Sequence, residues 1–259
     1  MSLLWKGNYY LMKICLAGTY AITKQNRDII KNSDYILESF YYINDWQLPY
    51  VKEAKFFLLD SGAFTFMNNF KGEINWKEYI DRYADFIIKN DIKYFFELDI
   101  DSIIGYDKVK EFTKYLESKV GRKCIPVWHK SRGLEEWKRL TKEYDYVAIG
   151  GIVTKEIKPQ EYRYFKPMLE IAKKNNCKVH GLGFTNLKSL SKYPFYSVDS
   201  TSWKSGNRFG TLYLFKENKL IQIKKPKDKR MVTNEKYSMV EAFVFNEWVK
   251  FQKYAELHL

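Results

Sequence analysis

The sequence predicts an α/β fold: a TIM-type (β/α)8 barrel, with a C-terminal β-hairpin and a long helix packed on it. Short apolar runs alternate with segments of helical spacing, at intervals of roughly 25 to 35 residues that match a βα unit. The runs are continuously apolar, as in parallel strands that are buried on both faces. No linker interrupts the 259 residues, and about seven or eight such units in one chain favour a closed barrel. We therefore expect a single domain over residues 1–259.

The first half of the chain supplies four predicted strands, at 12–18, 56–59, 94–98 and 124–128. Apolar residues spaced three and four apart predict helices over 76–89 and 109–120. The polar stretch 22–32 has a helical tendency. The aromatic stretch 35–43 fits a strand and a buried loop equally well, so both interpretations stay open.

The second half continues the alternation. Strands are predicted at 146–149, 177–182 and 195–198, and helices begin near Leu134, at 162–172 and, as a short segment, at 187–190. The tail at 211–259 departs from this rhythm, because 211–215 and 220–223 form a hairpin around Glu217 and Asn218. The final helix is predicted to pack one apolar face on the barrel wall. This face consists of Tyr237, Val240, Val244, Trp248, Phe251 and Ala255.

Composition and charge restrict the classes of function. Hydrophobic residues make up 46% of the chain and aromatic residues 18%, which excludes disordered and low-complexity proteins. The formal charge of +13 favours a polyanionic partner, either nucleic acid or an anionic membrane surface. A solvated lysine-rich surface is the alternative. Between residues 216 and 230 the chain carries seven Lys or Arg against two acids, so this segment either tracks a phosphate backbone or is an ordinary charged loop.

The cysteines indicate a reducing compartment. Cys15, Cys124 and Cys177 lie far apart in apolar runs, so they predict small buried side chains rather than disulfides or a zinc site. No apolar run reaches ~18 residues, so no membrane span is predicted, and the first residues lack a secretory signal. We expect a cytoplasmic protein without metal or cofactor.

Three carboxylates directly follow predicted strands: Asp60, Asp99 and Asp199. The carboxyl ends of barrel strands converge on one rim, so we expect the three side chains to share a pocket. Such clustering is electrostatically costly and is common where chemistry is done. Two carboxylates flanking a glycosidic bond are the usual device for cleaving it. Asp before Ser or Thr is also typical of turns and helix caps, so a structural role stays open.

Two loops at the same rim carry further polar groups. After Asp199 the chain supplies Lys204, Gly206, Asn207 and Arg208, a mixture that lets a loop approach a phosphate closely. Gly150 and Gly151 follow another strand. Their backbone amides could bind a carbonyl or phosphate, or the pair could simply form a tight turn.

Five short motifs lie at predicted strand ends and cover most of the span 60–210: DSGAFT from Asp60, ELDID from Glu97, AIGGI from Ala148, HGLG from His180 and DSTSWKSGNRFG from Asp199. In this order they resemble the motifs of the guanine transglycosylases. Those enzymes exchange guanine in tRNA, or in the DNA of some phages and bacteria, for a 7-deazaguanine.

The resemblance implies two catalytic residues. Asp199 would be the nucleophile that attacks C1′ of the nucleoside and holds a covalent sugar intermediate. Asp60 would be the general acid and base. Ala63 replaces the second glycine of the family's motif, and Phe64 keeps the aromatic ring that stacks on the base.

The resemblance also implies a base-binding set. Asp99 would recognise the purine edge, and His129 stands where the family has a glutamine that contacts the base. Gly150 and Gly151 would supply backbone contacts, and His180 lies near an apolar residue that closes the other face of the base. From the chemistry of the loop after Asp199, and not from the resemblance, we expect Lys204 and Arg208 to contact the nucleic-acid backbone.

Two departures from the family shift the expected substrate. The tRNA enzymes carry a zinc site of three Cys and one His after the barrel, and no Cys follows Cys177 here. The tail is also short, so we expect a zinc-less enzyme that favours DNA over tRNA, of the phage or mobile-element type. The alternatives are an N-glycosidase or glycoside hydrolase that uses the same carboxylates, and a non-enzymatic nucleic-acid-binding barrel.

Overall fold

A computed structural model describes residues 11–62, 65, 74–204, 211–224 and 234–259. The predictions for Ala63, Phe64, Gly206, Asn207 and Arg208 concern residues outside these ranges.

Seven parallel strands form one sheet, in which the first strand lies beside the last. The order is β3-β2-β1-β7-β6-β5-β4. Its strands are β1 (Lys13–Ala17), β2 (Tyr35–Ser39), β3 (Phe56–Asp60), β4 (Val127–Trp128), β5 (Tyr146–Ile149), β6 (Lys178–Gly181) and β7 (Ser197–Ser200). The predicted parallel α/β sheet is therefore confirmed. The stretch 35–43, for which strand and buried loop were both considered, contains the strand Tyr35–Ser39.

The sheet curls into a half-barrel rather than a fully closed barrel. The predicted strand at 94–98 makes only two isolated parallel bridges, between Leu59 and Phe95 and between Phe96 and Ile125. Each bridge pairs a single residue on each side, so 94–98 does not extend a regular ladder. This corrects the closed (β/α)8 barrel expected from the sequence.

Five of the described helices agree with predicted apolar stripes, whereas the short helices Leu48–Glu53 and Asp101–Ile104 were not predicted. The helices are α1 (Leu48–Glu53), α2 (Trp76–Lys89), α3 (Asp101–Ile104), α4 (Tyr106–Val120), α5 (Gly133–Glu143), α6 (Phe165–Lys174) and α7 (Asn234–His258). α2 has the predicted bounds, and Asn75 caps it by accepting a hydrogen bond from the Glu78 amide at 3.2 Å. The stretch 22–32 contains a 3-10 helix, Lys24–Asn32. Of the segment predicted at 187–190, only Leu190 is helical, as the first residue of a 3-10 helix at Leu190–Lys192.

Both faces of the sheet are buried, which explains why its strands read as continuous apolar runs. On β1, Cys15 and Ala17 pack inside the curl with residues of the other strands such as Leu58. Ile14 and Leu16 belong to the larger cluster shared with the helices. All three cysteines are buried and unpaired.

The tail forms the predicted hairpin and helix. β8 (Thr211–Lys216) pairs with the antiparallel β9 (Lys219–Lys224). Glu217 and Asn218 both have positive φ, 51° and 61°, as in the type I′ turn of a two-residue hairpin. Gln252 attaches α7 to the sheet by donating to the carbonyls of Ile14 at 2.7 Å and Tyr35 at 3.0 Å. No helix among the described residues has the length and apolar character needed to cross a membrane.

Candidate active site

The predicted carboxylates gather at the edge of the sheet where the parallel strands end. Asp60 is the last residue of β3, Asp199 lies in β7, and Asp99 follows the bridged segment 94–98. The charges of Asp99 and Asp199 both contribute to raising the pKa of Asp60, so the three groups interact electrostatically. The structure thus brings together the acids that lie far apart in the sequence.

The carboxyl group of Asp60 has a raised pKa, which suits it to proton transfer. Burial, helped by the neighbouring carboxylates, raises the pKa of its side chain to about 6, although a hydrogen bond from the Gly62 amide at 2.9 Å opposes the increase. Gly62 has φ +83°, and a Cβ there would lie 2.7 Å from Tyr41 Cβ. A glycine is therefore needed for this loop to turn back onto the carboxylate.

We predict that Asp60→Asn changes how stability depends on pH. The pKa of Asp60 is about 6 in the folded protein against 3.8 without the fold, so ionisation destabilises the native state as the pH rises through this interval. Relative to the Asn variant, the wild type should lose about 2 kcal/mol of unfolding free energy between pH 4 and pH 7. Urea titrations at several pH values measure the difference. Parallel pH profiles would contradict the raised pKa.

Asp199 is held from behind by two donors. Its Oδ1 accepts hydrogen bonds from the Gly183 amide at 2.6 Å and from His180 Nε2 at 3.2 Å. The resemblance implied that His180 lies near the face of the base. In the structure its side chain is 0% exposed and lies beneath the carboxylate, because β6 directs this residue into the polar interior between β5 and β7.

His129 connects two carboxylates. Its Nε2 lies 2.8 and 2.9 Å from the two oxygens of Asp99, and its Nδ1 lies 2.8 Å from Glu156 Oε2. Burial works against the charged imidazolium, but the hydrogen bonds to Asp99 and Glu156 outweigh it and raise the pKa of His129 to about 9. At neutral pH His129 is therefore a cation that is held in place by hydrogen bonds at both of its ring nitrogens.

The two adjacent glycines make room for this group. A Cβ at Gly150 would lie 2.7 Å from the His129 ring, and one at Gly151, where φ is +78°, would lie 2.6 Å from Glu156 Oε2. The Gly150 amide donates to the Trp128 carbonyl at 2.9 Å, so it is engaged in the sheet. Binding of a base by the Gly151 amide stays a prediction.

We predict that Gly151→Ala lowers the pKa of His129. The new methyl group displaces the Glu156 carboxylate, and the imidazolium loses one of its two partners. The pKa should fall from about 9 to below about 8, as measured by NMR titration of a chain with only three histidines.

Gly121→Ala is the matched control. Gly121 has a similar φ of +71°, but a Cβ there meets nothing within 4 Å. Both variants pay about 1–2 kcal/mol for a left-handed alanine, and only Gly151→Ala should move the His129 titration. An unchanged titration in both would mean that Glu156 does not sustain the charge of His129.

Arg132 is buried beside the cluster of Glu97, Asp99 and Asp101, and its side chain is only 2% exposed. It donates to Glu97 Oε1 at 2.8 Å and to Asp101 Oδ2 at 3.0 Å, it bonds the Val127 carbonyl, and it stacks on Tyr106 at 4.1 Å. Burial would lower the pKa of the guanidinium, but the acids around it, Glu97 first, raise it. Asp99 is also near, with Oδ1 3.7 Å from Arg132 Nη2.

The same cluster contains a set of groups at metal-ligand spacing. Asp99, Asp101 and His129 each offer one ligand atom, and these atoms lie within 4.8 Å of one another. Both nitrogens of His129 are already bound to carboxylates, and Asp101 is paired with Arg132. The negative charges of Asp99 and Asp101 are therefore balanced by His129 and Arg132.

Lys204 lies in the interior beside the end of β1. Its ammonium is 3.3 Å from the Gly18 carbonyl and 4.9 Å from the centre of the Tyr20 ring. Gly18 has φ +77°, which favours glycine, and a Cβ there would come within 2.4 Å of Lys204 Nζ and displace the ammonium. Contacts within the protein account for this lysine, and phosphate binding by Lys204 stays a prediction.

Sequence reasoning missed Glu156 and Arg132. Each reaches the site from a loop or the start of a helix, and the partners lie 27 residues or more away in the chain. The only available signal was ELDID, in which Glu97, Asp99 and Asp101 alternate. A cavity of about 330 Å³ on the helical side, between α5 and α6, is lined by none of the three aspartates.

No protein-family model matches this chain, and no curated protein is detectably similar to it.

Proposed function

We propose that this chain is a guanine transglycosylase that exchanges guanine in nucleic acid for a 7-deazaguanine base. The observation that carries the proposal is the position of Asp60, Asp99 and Asp199 where strands end at one edge of the sheet, near enough for the charges of Asp99 and Asp199 to raise the pKa of Asp60. A site that cleaves a glycosidic bond needs such carboxylates, with unequal affinities for protons. The order of the five motifs adds the choice of guanine.

The proposed reaction proceeds in two balanced steps. The Asp199 carboxylate attacks C1′ and forms a C–O bond as the C1′–N9 bond breaks; the electron pair passes to the base, which takes a proton from Asp60 and leaves as guanine. The incoming base then gives its N9 proton to Asp60 and attacks C1′, which releases the Asp199 carboxylate. With a pKa of about 6, Asp60 can occupy both protonation states near neutral pH.

Base recognition falls to Asp99 and His129 in this proposal. A carboxylate accepts hydrogen bonds from the N1–H and the exocyclic amine of guanine. Both N–H groups of His129 are engaged by Asp99 and Glu156, so His129 contributes through its positive charge beside the Asp99 carboxylate. Glu156 helps to keep His129 charged, and the Arg132 guanidinium lies 3.7 Å from Asp99 Oδ1. The purine edge would therefore meet the Asp99 carboxylate, with the His129 cation held beside it.

We also propose that the segment 94–98 completes the ring of strand ends of the half-barrel, lying between β3 and β4 without regular strand pairing. Two backbone hydrogen bonds support this: Leu59 N donates to Tyr94 O at 3.0 Å, and Ile125 N donates to Phe95 O at 2.8 Å. A barrel of this kind presents all its strand ends to one pocket.

DNA is the proposed substrate, with tRNA as the alternative. The net charge of +13 favours a polyanion, and the β8–β9 hairpin carries Lys216 and Lys219 beside its turn. The three buried, unpaired cysteines fit a cytoplasmic enzyme. Backbone binding predicts an affinity that falls steeply with salt.

Nucleoside mass spectrometry tests the proposed function. Cells that express the wild type and receive a 7-deazaguanine should incorporate it into DNA, and cells that express Asp199→Asn should not. Incorporation into tRNA alone would change the substrate from DNA to RNA. Unmodified DNA and tRNA would contradict the proposal.

A further inference from the structure

A buried hydrogen-bonded chain runs through the interior of the sheet to the back of Asp199. Tyr146 and Ser197 share a hydrogen bond between their hydroxyls, and Ser197 Oγ lies 2.6 Å from His180 Nδ1. His180 Nε2 then lies 3.2 Å from Asp199 Oδ1. The side chains are buried, and His180 and Ser197 are fully so. The family resemblance assigns no such chain of polar groups.

The protons in this chain have one arrangement that satisfies every member with a neutral histidine. Tyr146 donates to Ser197, Ser197 donates to His180 Nδ1, and the Nε2–H of His180 donates to Asp199. The opposite tautomer would turn a nitrogen lone pair toward an ionised carboxylate. The negative charge of Asp199 therefore selects the tautomer, and the two hydroxyls stabilise it.

Packing fixes the ring as well as the tautomer. The rings of His180 and Phe96 lie 5.4 Å apart between centroids. The partners of His180 are thus Ser197 on one edge, Asp199 on the other and Phe96 across the ring. The imidazole cannot turn without breaking a buried hydrogen bond.

The two oxygens of Asp199 are consequently unequal. Oδ1 accepts from both Gly183 N and His180 Nε2, whereas no hydrogen bond from a described residue reaches Oδ2. The Asp199 side chain keeps 12% exposure. A carboxylate with one oxygen held by two donors presents the other oxygen in a fixed direction.

We propose that His180 is a positioning residue that, with Ser197 and Tyr146, orients Asp199 so that Oδ2 is the atom that attacks C1′. The inference rests on the proposed transglycosylase function and adds which atom reacts and what directs it. A reactive side chain loses activity when the hydrogen-bond partner that orients it is removed. For metal ligands, loss of such an outer partner typically lowers metal affinity or activity by about 10- to 100-fold.

Three variants separate positioning from folding. His180→Phe removes the donor, His180→Gln keeps an N–H near the position of Nε2, and Ser197→Ala cuts the chain behind His180. Exchange on a guanine-containing oligonucleotide should show kcat reduced by about 10- to 100-fold in His180→Phe, with KM for the oligonucleotide unchanged and a partial recovery in His180→Gln. Ser197→Ala should lower kcat by several-fold.

Ser33→Ala is the matched control for Ser197→Ala. Ser33 is also buried and hydrogen-bonded, to the Tyr35 carbonyl and Gln252, at the opposite end of the strands. It should leave kcat unchanged. Thermal melts establish which variants fold, and if His180→Phe does not fold, Ser197→Ala decides.

The outcomes separate this inference from the proposed function. Exchange by the wild type together with a kcat within about twofold of it in folded His180→Phe and in Ser197→Ala would overturn the positioning role alone. Equal losses in His180→Phe and His180→Gln would also overturn it. Absence of exchange by the wild type would overturn both proposals.

Discussion

Asp199→Asn should lower the rate of base exchange by at least about 1,000-fold, the scale seen when a catalytic nucleophile is removed. The amide keeps the shape of the carboxylate and can still accept hydrogen bonds from the Gly183 amide and His180. It cannot form the ester bond to C1′. The measurement is single-turnover exchange on an oligonucleotide, together with a denaturing gel for the covalent protein–oligonucleotide adduct.

Asp34→Asn is the matched control, because Asp34 precedes β2 at the opposite end of the strands and pairs with Lys55 at 2.9 Å. It should exchange bases at the wild-type rate. An adduct that persists in Asp199→Asn would mean that another residue is the nucleophile, and Asp60 would be the first to examine.

Arg132→Met should destabilise the protein by about 3–5 kcal/mol, which is what breaking a buried ion pair by removing one partner typically costs. Glu97 is 4% exposed and would lose its cation; burial already raises the pKa of this carboxyl even with Arg132 in place. Asp101 would lose its partner at the same time. Urea unfolding at pH 7 measures the change in free energy.

Arg139→Met provides the comparison on the same helical layer. Arg139 is 41% exposed and pairs with Glu136 and Glu143 along α5, and exposed pairs contribute about 0–1 kcal/mol. If the two variants lost similar stability, the buried cluster beneath Asp99 would not be the support that we describe.

Local pattern determined which elements could be predicted. α2 was predicted with its bounds because an apolar stripe runs its whole length and Asn75 caps it. The segment 94–98 has the same apolar character as the neighbouring strands, yet it makes only single bridges. Pairing depends on how strands from different parts of the chain meet, which composition does not specify.

The same distinction holds at the site. Asp60, Asp99 and Asp199 were predictable because parallel strands end at one edge, whatever the loops do. Glu156 was not, because a loop residue reaches His129 only through the turn that Gly150 and Gly151 permit. The position of His180 was also missed, because side chains alternate between the two faces of a strand. A shift of one residue therefore separates a side chain that lines the base site from one that is buried behind Asp199.

Exchange of an isotope-labelled base measures the central claim most directly. The wild type is incubated with an oligonucleotide that contains guanine and with labelled free guanine, and the oligonucleotide is then isolated and digested to nucleosides. We predict that label enters the strand at guanine positions and that unlabelled guanine is released in equal amount. Release of guanine without incorporation would identify a hydrolase, and binding with neither release nor incorporation would contradict an enzymatic role for the three aspartates.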